Sequence, residues 1–185
     1  MAPTDMASTA DLAHTGPVIL ATDVDYPEGA PALAAGVVFE AWTDPAPARE
    51  YLVSVPDPAP YVPGQFYRRE LPCLQDLLAE VAEDIDTVVI DGYVDLDTRG
   101  RMGLGAHLHE ALDRELTVIG VAKNAFGGND AALEVLRGES IKPLFVTARG
   151  IDPADAAAAV ARMHGRFRLP TLLKRVDRLC RDGRR

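Results

Sequence analysis

The sequence predicts an α/β fold in which one mixed β-sheet is flanked by helices. The first observation is a set of short β-branched runs, of which Thr87–Asp91 and Thr117–Ala122 are the clearest. The second is the presence of amphipathic segments between such runs, with apolar residues spaced by three and four. The third is composition, because 48% hydrophobic and 25% charged residues in a chain of 185 are typical of one domain with a substantial core.

The first half of the chain predicts an antiparallel meander followed by a helix. Three short apolar runs read as strands, at residues 18–22, 34–39 and 50–55. Residues 56–64 hold four prolines and predict a stiff extended loop, because proline fixes the backbone and removes a hydrogen-bond donor. Leu74, Leu77 and Val81 then predict the buried face of a helix over residues 71–82.

The second half alternates strands and helices. In order we predict a strand at 87–91, a loop at 93–103, a helix at 104–114, a strand at 117–122, a loop at 124–130, a short helix at 131–137, a strand at 144–147, a helix from Asp152 or Asp155 to His164, and a helix at 171–180. This order is that of a ribonuclease H-like mixed β-sheet flanked by helices. We expect a flexible leader at residues 1–16 and a single domain at 17–185.

Charge and hydropathy exclude some classes of function. A net charge of −9 argues against a broad, sequence-independent grip on nucleic acid, although residues 168–185 are strongly basic. No apolar run approaches the roughly 20 residues that span a bilayer, and no secretory signal is evident, so we expect no membrane partner. Cys73 and Cys180 have no metal-binding spacing; we expect buried free thiols and a cytoplasmic location.

Three acidic residues indicate a site for a hard divalent cation. Asp23 and Asp91 follow apolar strand runs, and Glu70 lies between them in the chain. Carboxylates at the carboxyl ends of neighbouring strands meet at one sheet edge, where α/β proteins place their sites. Mg²⁺ needs only a few such ligands besides water and phosphate. The alternatives are that each aspartate merely starts a turn, and that Glu70 is a first-turn helix acid.

Seven segments in order give the chain a resemblance to the endonuclease V family, nucleases that cut nucleic acid near deoxyinosine or inosine. They are Thr-Asp-Val-Asp-Tyr at 22–26, Pro-Tyr-Val-Pro-Gly at 60–64, Arg-Glu at 69–70, Val-Ile-Asp-Gly at 89–92, Ile-Gly-Val-Ala-Lys at 119–123, Lys-Pro-Leu-Phe-Val at 142–146 and Phe-Arg-Leu-Pro at 167–170. The chain thus resembles a divergent member of this family along nearly its whole length.

The resemblance implies a function and a set of residues. Asp23, Glu70 and Asp91 would ligate Mg²⁺ or Mn²⁺ and, with Lys123 near the scissile phosphate, form the catalytic set. Tyr61, Val62 and Pro63 would form a wedge, and Gly64 and Gly92 would also contact nucleic acid. The partner would be DNA or RNA containing a deaminated purine, bound by a monomer. Alternatively, Lys123 is a solvated strand-terminal lysine and Tyr61 a packed loop aromatic.

The departures from the family pattern leave two questions open. Val94 stands where the family has a second glycine, and would narrow the base pocket. Asp97 replaces one histidine, and Thr147 to Gly150 replaces the segment that carries another, so the fourth member of the metal site is undetermined. Asp95, Asp97 and Asp152 are the candidates. These departures keep two further functions open: a binding protein with weak or no cleavage, and an enzyme acting on a nucleotide-like small molecule.

Overall fold

The computed structural model describes residues 16–113 and 115–183. Seven strands form one sheet in the order β3-β2-β1-β4-β5-β7-β6. The strands are β1 (Ile19–Asp25), β2 (Ala32–Phe39), β3 (Arg49–Val55), β4 (Thr87–Asp91), β5 (Thr117–Ala122), β6 (Leu133–Val135) and β7 (Leu144–Arg149), and the helices are α1 (Tyr67–Glu80), α2 (Leu104–Ala111), α3 (Pro153–Ala161) and α4 (Thr171–Asp182). The predicted leader lies almost wholly outside the described residues and stays a prediction.

The sheet is mixed, as the sequence predicts. β1, β2 and β3 form an antiparallel meander, β1, β4 and β5 run parallel, and β7 pairs antiparallel with both β5 and β6. The parallel strands are apolar on both faces because helices cover both. Val88, Ile90 and Val118 pack with α1 and α2, whereas Val89, Ile119 and Val121 pack with α3 and α4.

Two predicted elements differ from the structure. The helix predicted at 131–137 is wrong: Leu133–Val135 is the edge strand β6, because its backbone pairs with β7 and this pairing overrides a weak local helix preference. Helix α1 begins at Tyr67, four residues earlier than predicted, and Pro72 lies inside it. Near the N-terminus of a helix, a proline removes only one hydrogen-bond donor, so the first turn forms with Pro72 in place.

The remaining features agree with expectation. Residues 56–64 form neither helix nor strand, Asp152 caps α3 by accepting from the Ala154 N–H, and Cys73 and Cys180 are buried free thiols. Within the described ranges, no helix combines the length and apolarity that crossing a bilayer requires.

Candidate active site

The register of the three parallel strands brings three predicted site residues to one sheet edge. The β1–β4 ladder ends at the pair Ala21 and Val89, and two residues further along each strand are Asp23 and Asp91. Side chains alternate between faces along a strand, so both aspartates lie on the face that packs against α4. Lys123, two residues beyond Val121 on β5, follows the same alternation. The predicted juxtaposition of these residues is therefore present.

An ion pair lies at the centre of the edge. The Nζ atom of Lys123 donates to Oδ2 of Asp91 at 2.6 Å. Burial alone would lower the pKa of Lys123, but the hydrogen bond and the charge of Asp91 raise it above its ordinary value. Burial, and then the charge of Asp91, raises the pKa of Asp23 to about 7, although Lys123 opposes this. The carboxylates repel one another, and the lysine ammonium compensates part of their charge.

Glu70 reaches the edge from the first turn of α1, on the opposite face of the sheet. It is 4% exposed, and its Oε2 has no hydrogen-bond partner among the described residues. Burial, followed by the charges of Asp23 and Asp91, raises the pKa of Glu70 well above its usual range. A buried carboxylate without a partner is unfavourable unless a cation or proton accompanies it.

Asp177 is a site residue that sequence reasoning missed. It lies on α4, with Oδ1 3.9 Å from Nζ of Lys123 and 2.8 Å from the Arg181 guanidinium. Its charge contributes to the raised pKa of Asp23. Its neighbour Val176 is buried against the sheet. No local pattern in the sequence marks this acid; the packing of α4 against the sheet places it near Lys123.

The donor atoms of these residues suit a divalent cation, although their side chains do not form a preformed coordination site. Within residues 16–113 and 115–183, no three His, Cys, Asp or Glu side chains already converge as a metal-binding group. The set instead offers hard carboxylate oxygens, an unpartnered buried oxygen on Glu70, and an ammonium group on Lys123 in contact with Asp91. The Lys123 ammonium is a stand-in for a cation, because it compensates the charge that a metal ion would.

A cleft of about 300 Å³ opens beside Asp91. Such a volume suits a small organic group. Its walls are aromatic and apolar, and Tyr93 is fixed by donating to the Asn124 carbonyl at 2.6 Å and accepting from the Phe126 N–H. The guanidinium of Arg101 lies 5.3 Å from the centre of the Phe126 ring. The lining residues are Gly64, Phe66, Tyr67, Asp91, Gly92, Tyr93, Leu96, Arg101, Met102, Gly103, Leu104 and Phe126.

The predicted wedge lies next to this cleft. Tyr61 is 59% exposed on the loop that precedes α1, and Val62 is also exposed. The loop turns at Gly64, which lines the cleft, and the Gln65 N–H donates to the Val62 carbonyl. An exposed aromatic on a proline-stiffened loop is not the packed loop aromatic of the alternative, and the wedge role stays a prediction.

Comparison with known proteins identifies the family. The endonuclease V family model matches residues 4–141. Endonuclease V of Nocardia farcinica is 31% identical over 98% of this chain and 89% of its own length.

The chain belongs to the endonuclease V family.

Solved structures of endonuclease V proteins share the fold. The crystal structure of endonuclease V from Streptomyces avermitilis has a TM-score of 0.74 and 28% identity, covering 91% of this chain and 81% of that one. Endonuclease V of Ciona intestinalis, crystallised with a DNA containing an inosine, has a TM-score of 0.73 at 19% identity, over 92% and 87% of the two chains. The ribonuclease H-like mixed sheet predicted above is therefore correct, and the chain belongs to a family of nucleases.

Val94, which departs from the glycine expected from the family resemblance, does not line the cleft. Its side chain is fully buried among Ile90, Leu104 and Leu108, and its N–H donates to Thr147 Oγ1 at 2.8 Å. Gly105 makes room for it, because a Cβ there would lie 2.7 Å from a Val94 methyl. The expectation that Val94 narrows the base pocket is wrong, since the loop turns this side chain into the core.

The three acids proposed as the fourth metal-site member have structural partners elsewhere. Asp95 forms a two-pronged ion pair with Arg149, Asp97 accepts from the N–H groups of Arg99 and Arg101, and Asp152 caps α3. Asp177 instead lies 3.9 Å from Lys123, and its charge helps to raise the pKa of Asp23. The acid nearest to Lys123 is therefore set by how the chain folds. Closeness in sequence to the missing histidines does not predict it.

Proposed function

We propose that this protein is a divalent-metal-dependent endonuclease that hydrolyses a phosphodiester bond near inosine or deoxyinosine. The observation that carries the proposal is the meeting of Asp23, Asp91, Asp177 and Lys123 at one sheet edge, next to an aromatic cleft and an exposed tyrosine loop. Glu70 joins them electrostatically from α1. Family membership supports nuclease chemistry, and the inosine-containing DNA bound by the Ciona relative supports the substrate.

Four carboxylates would hold the cation: Asp23, Glu70, Asp91 and Asp177. Mg²⁺ or Mn²⁺ suits them because both prefer carboxylate oxygens and retain water. When bound, such an ion supplies Lewis-acid charge for the phosphoryl oxygens and lowers the pKa of a water.

Lys123 would change partner during the reaction. Its ammonium neutralises Asp91 in this structure, and a cation on the carboxylates would release it. A freed ammonium at the strand end is placed to contact a phosphate oxygen and stabilise charge that develops there. Leu173 and Val176 of α4, together with Leu169 just before this helix, form an apolar wall that limits water on this side.

The substrate base would enter the cleft beside Asp91. Gly92 forms part of its floor and lets a base approach the backbone, since no Cβ projects there. Tyr93 and Phe126 offer ring faces on which a purine stacks. Tyr61 would fill the gap that the extruded base leaves in the strand.

The two other functions are not favoured. A binding protein without catalysis has no need for four carboxylates and a lysine held together against their repulsion. An enzyme for a nucleotide-like small molecule was suggested by Val94 in the base pocket, and that side chain lies in the core instead.

The test is cleavage of end-labelled single strands that carry one inosine, in DNA and in RNA form, with Mg²⁺, with Mn²⁺ and with a chelator. We expect a cut near the inosine that needs metal and is absent from an otherwise identical strand with guanine. The DNA and RNA arms identify the preferred nucleic acid.

Two variants assign the chemistry to the site. Asp91→Asn should lower the single-turnover rate by about 100-fold or more, as expected for loss of a group that acts on the transition state. Asp155→Asn, an exposed acid at the start of α3, is the matched control and should cut normally. A folded Asp91→Asn protein that cuts like the unmodified chain would refute the assignment.

We also propose that the protein acts as a monomer in a reducing cytoplasm. The two buried free thiols favour such a compartment. Light scattering of the purified protein tests the oligomeric state, and fractionation of the source cells tests the location.

A further inference from the structure

An exposed aromatic side chain lies on the loop between α3 and α4, close to the candidate active site. Phe167 is 59% exposed, and Leu169, two residues later, lines the cavity that contains Asp91 and Lys123. The loop also borders a groove of its own, whose lining includes Glu139, Arg166, Phe167 and Arg168. Neither the cation site nor the cleft beside Asp91 uses Phe167.

Two cations accompany the Phe167 ring. The guanidinium carbon of Arg166 lies 4.9 Å from the ring centre, and Nζ of Lys174 lies 5.8 Å from it. An exposed ring flanked by cations matches a nucleic acid strand, which offers base faces for stacking and phosphates for the cations. Glu139 disfavours phosphate on its own side of the groove, so the strand is expected on the side of Arg166 and Lys174.

A buried arginine holds this loop in place. Arg137 is 5% exposed, and its guanidinium donates to backbone carbonyls along the loop, including those of Gly165 at 3.0 Å and Phe167 at 2.8 Å. Gly138 allows the close approach, because a Cβ there would lie 2.1 Å from the Arg166 carbonyl oxygen. A surface that is already ordered loses less conformational entropy on binding.

A second arginine ties the loop to the catalytic edge. The Arg168 guanidinium donates to the carbonyl oxygens of Lys123 and Pro143. The backbone beside Phe167 is therefore tied to the strand end that carries Lys123. A strand with its scissile phosphate at Lys123 would then have its flanking nucleotides on the side of this loop.

We propose that Phe167, flanked by Arg166 and Lys174, is a stacking platform for an unpaired base of the substrate strand outside the cleavage site. This inference rests on the proposed nuclease function and adds a contact that binds a flanking nucleotide. Every base has a π-face, so the platform adds affinity without reading sequence.

The experiment is single-turnover cleavage of the inosine strand at increasing enzyme concentration. It gives the concentration for half-maximal rate and the maximal rate separately. Phe167→Ala should raise the half-maximal concentration by about tenfold, as loss of one base–aromatic stack does, and leave the maximal rate unchanged. Phe167→Trp should retain tight binding, and its added indole fluorescence should be quenched by the oligonucleotide. Phe167→Leu keeps apolar volume without a ring and should resemble Phe167→Ala.

A series of substrates, each with one abasic nucleotide at a different flanking position, locates the stacked base. The penalty for Phe167→Ala should disappear on the substrate that lacks that base. Ile151→Ala is the control for an exposed apolar side chain, because Ile151 follows β7 at the opposite sheet edge from Lys123.

The outcomes separate this inference from the proposed function. If the unmodified protein cuts and Phe167→Ala has the same half-maximal concentration, the platform is refuted while the nuclease assignment stands. An equal penalty on every abasic substrate also refutes stacking, since it indicates a structural effect. If the unmodified protein neither binds nor cuts an inosine strand, the proposed function itself fails.

Discussion

Replacing Arg137 with methionine should destabilise the protein strongly, although the residue contacts no catalytic group. The substitution keeps most of the aliphatic stem and removes every guanidinium donor. Five backbone carbonyls then lose a partner, those of Ala161, Met163, Gly165, Phe167 and Arg168. The bond to Met163 is buried, whereas the other four are partly exposed.

The magnitude follows from that difference in burial. An unsatisfied buried carbonyl costs about 1–3 kcal/mol. Water can reach the four partly exposed carbonyls, so each loses only about 0.5–1 kcal/mol, the lower part of the net range for a hydrogen bond. The sum is about 3–7 kcal/mol in the free energy of unfolding, which lowers Tm by roughly 10–20 °C in a protein of this size.

Urea denaturation followed by circular dichroism measures this free energy. Arg137→Lys keeps the charge and some donors, and should recover part of the loss. Arg162→Met is the control, because Arg162 is an exposed neighbour at the end of α3. A loss below about 1 kcal/mol for Arg137→Met would refute the reasoning, since it would mean that the loop carbonyls are satisfied without the guanidinium.

Three further predictions concern the site. Asp177→Asn should lower the single-turnover rate of cleavage by about 100-fold without unfolding the protein. Asp182→Asn, on the same helix, is the control and should have little effect. Equal rates for Asp177→Asn and the unmodified protein would show that Asp177 is not part of the site. Tyr61→Ala should weaken cleavage of duplex substrate more than of single strands, because only a duplex leaves a gap to fill; an equal loss on both would contradict the wedge. Val94→Ala should lower the free energy of unfolding by about 2 kcal/mol, measured by denaturation. The preference for cleaving inosine over guanine strands should not change. A changed preference would indicate that Val94 lies at the cleft.

The sequence was informative where a pattern repeats locally. The β-branched runs at Thr87–Asp91 and Thr117–Ala122 are strands with the predicted bounds. Prediction failed at Leu133–Val135, where pairing with β7 overrides a weak helical preference. Asp177 was missed for a related reason: it lies about 150 residues from Asp23, and no local pattern links α4 to the end of β1.

The sequence by itself determined the fold class, the family resemblance and the positions of Asp23, Asp91 and Lys123, because these depend on short motifs and on the two-residue alternation of strands. Only the tertiary structure shows that Asp177 lies near these residues, that the Val94 side chain is in the core, and that Arg137 holds the loop before α4. Those facts depend on how α4, the loop after β4 and the loop before α4 pack against a sheet whose neighbours are distant in the chain. Packing between distant segments creates contacts that local sequence does not encode, and the proposed substrate site is built from such contacts.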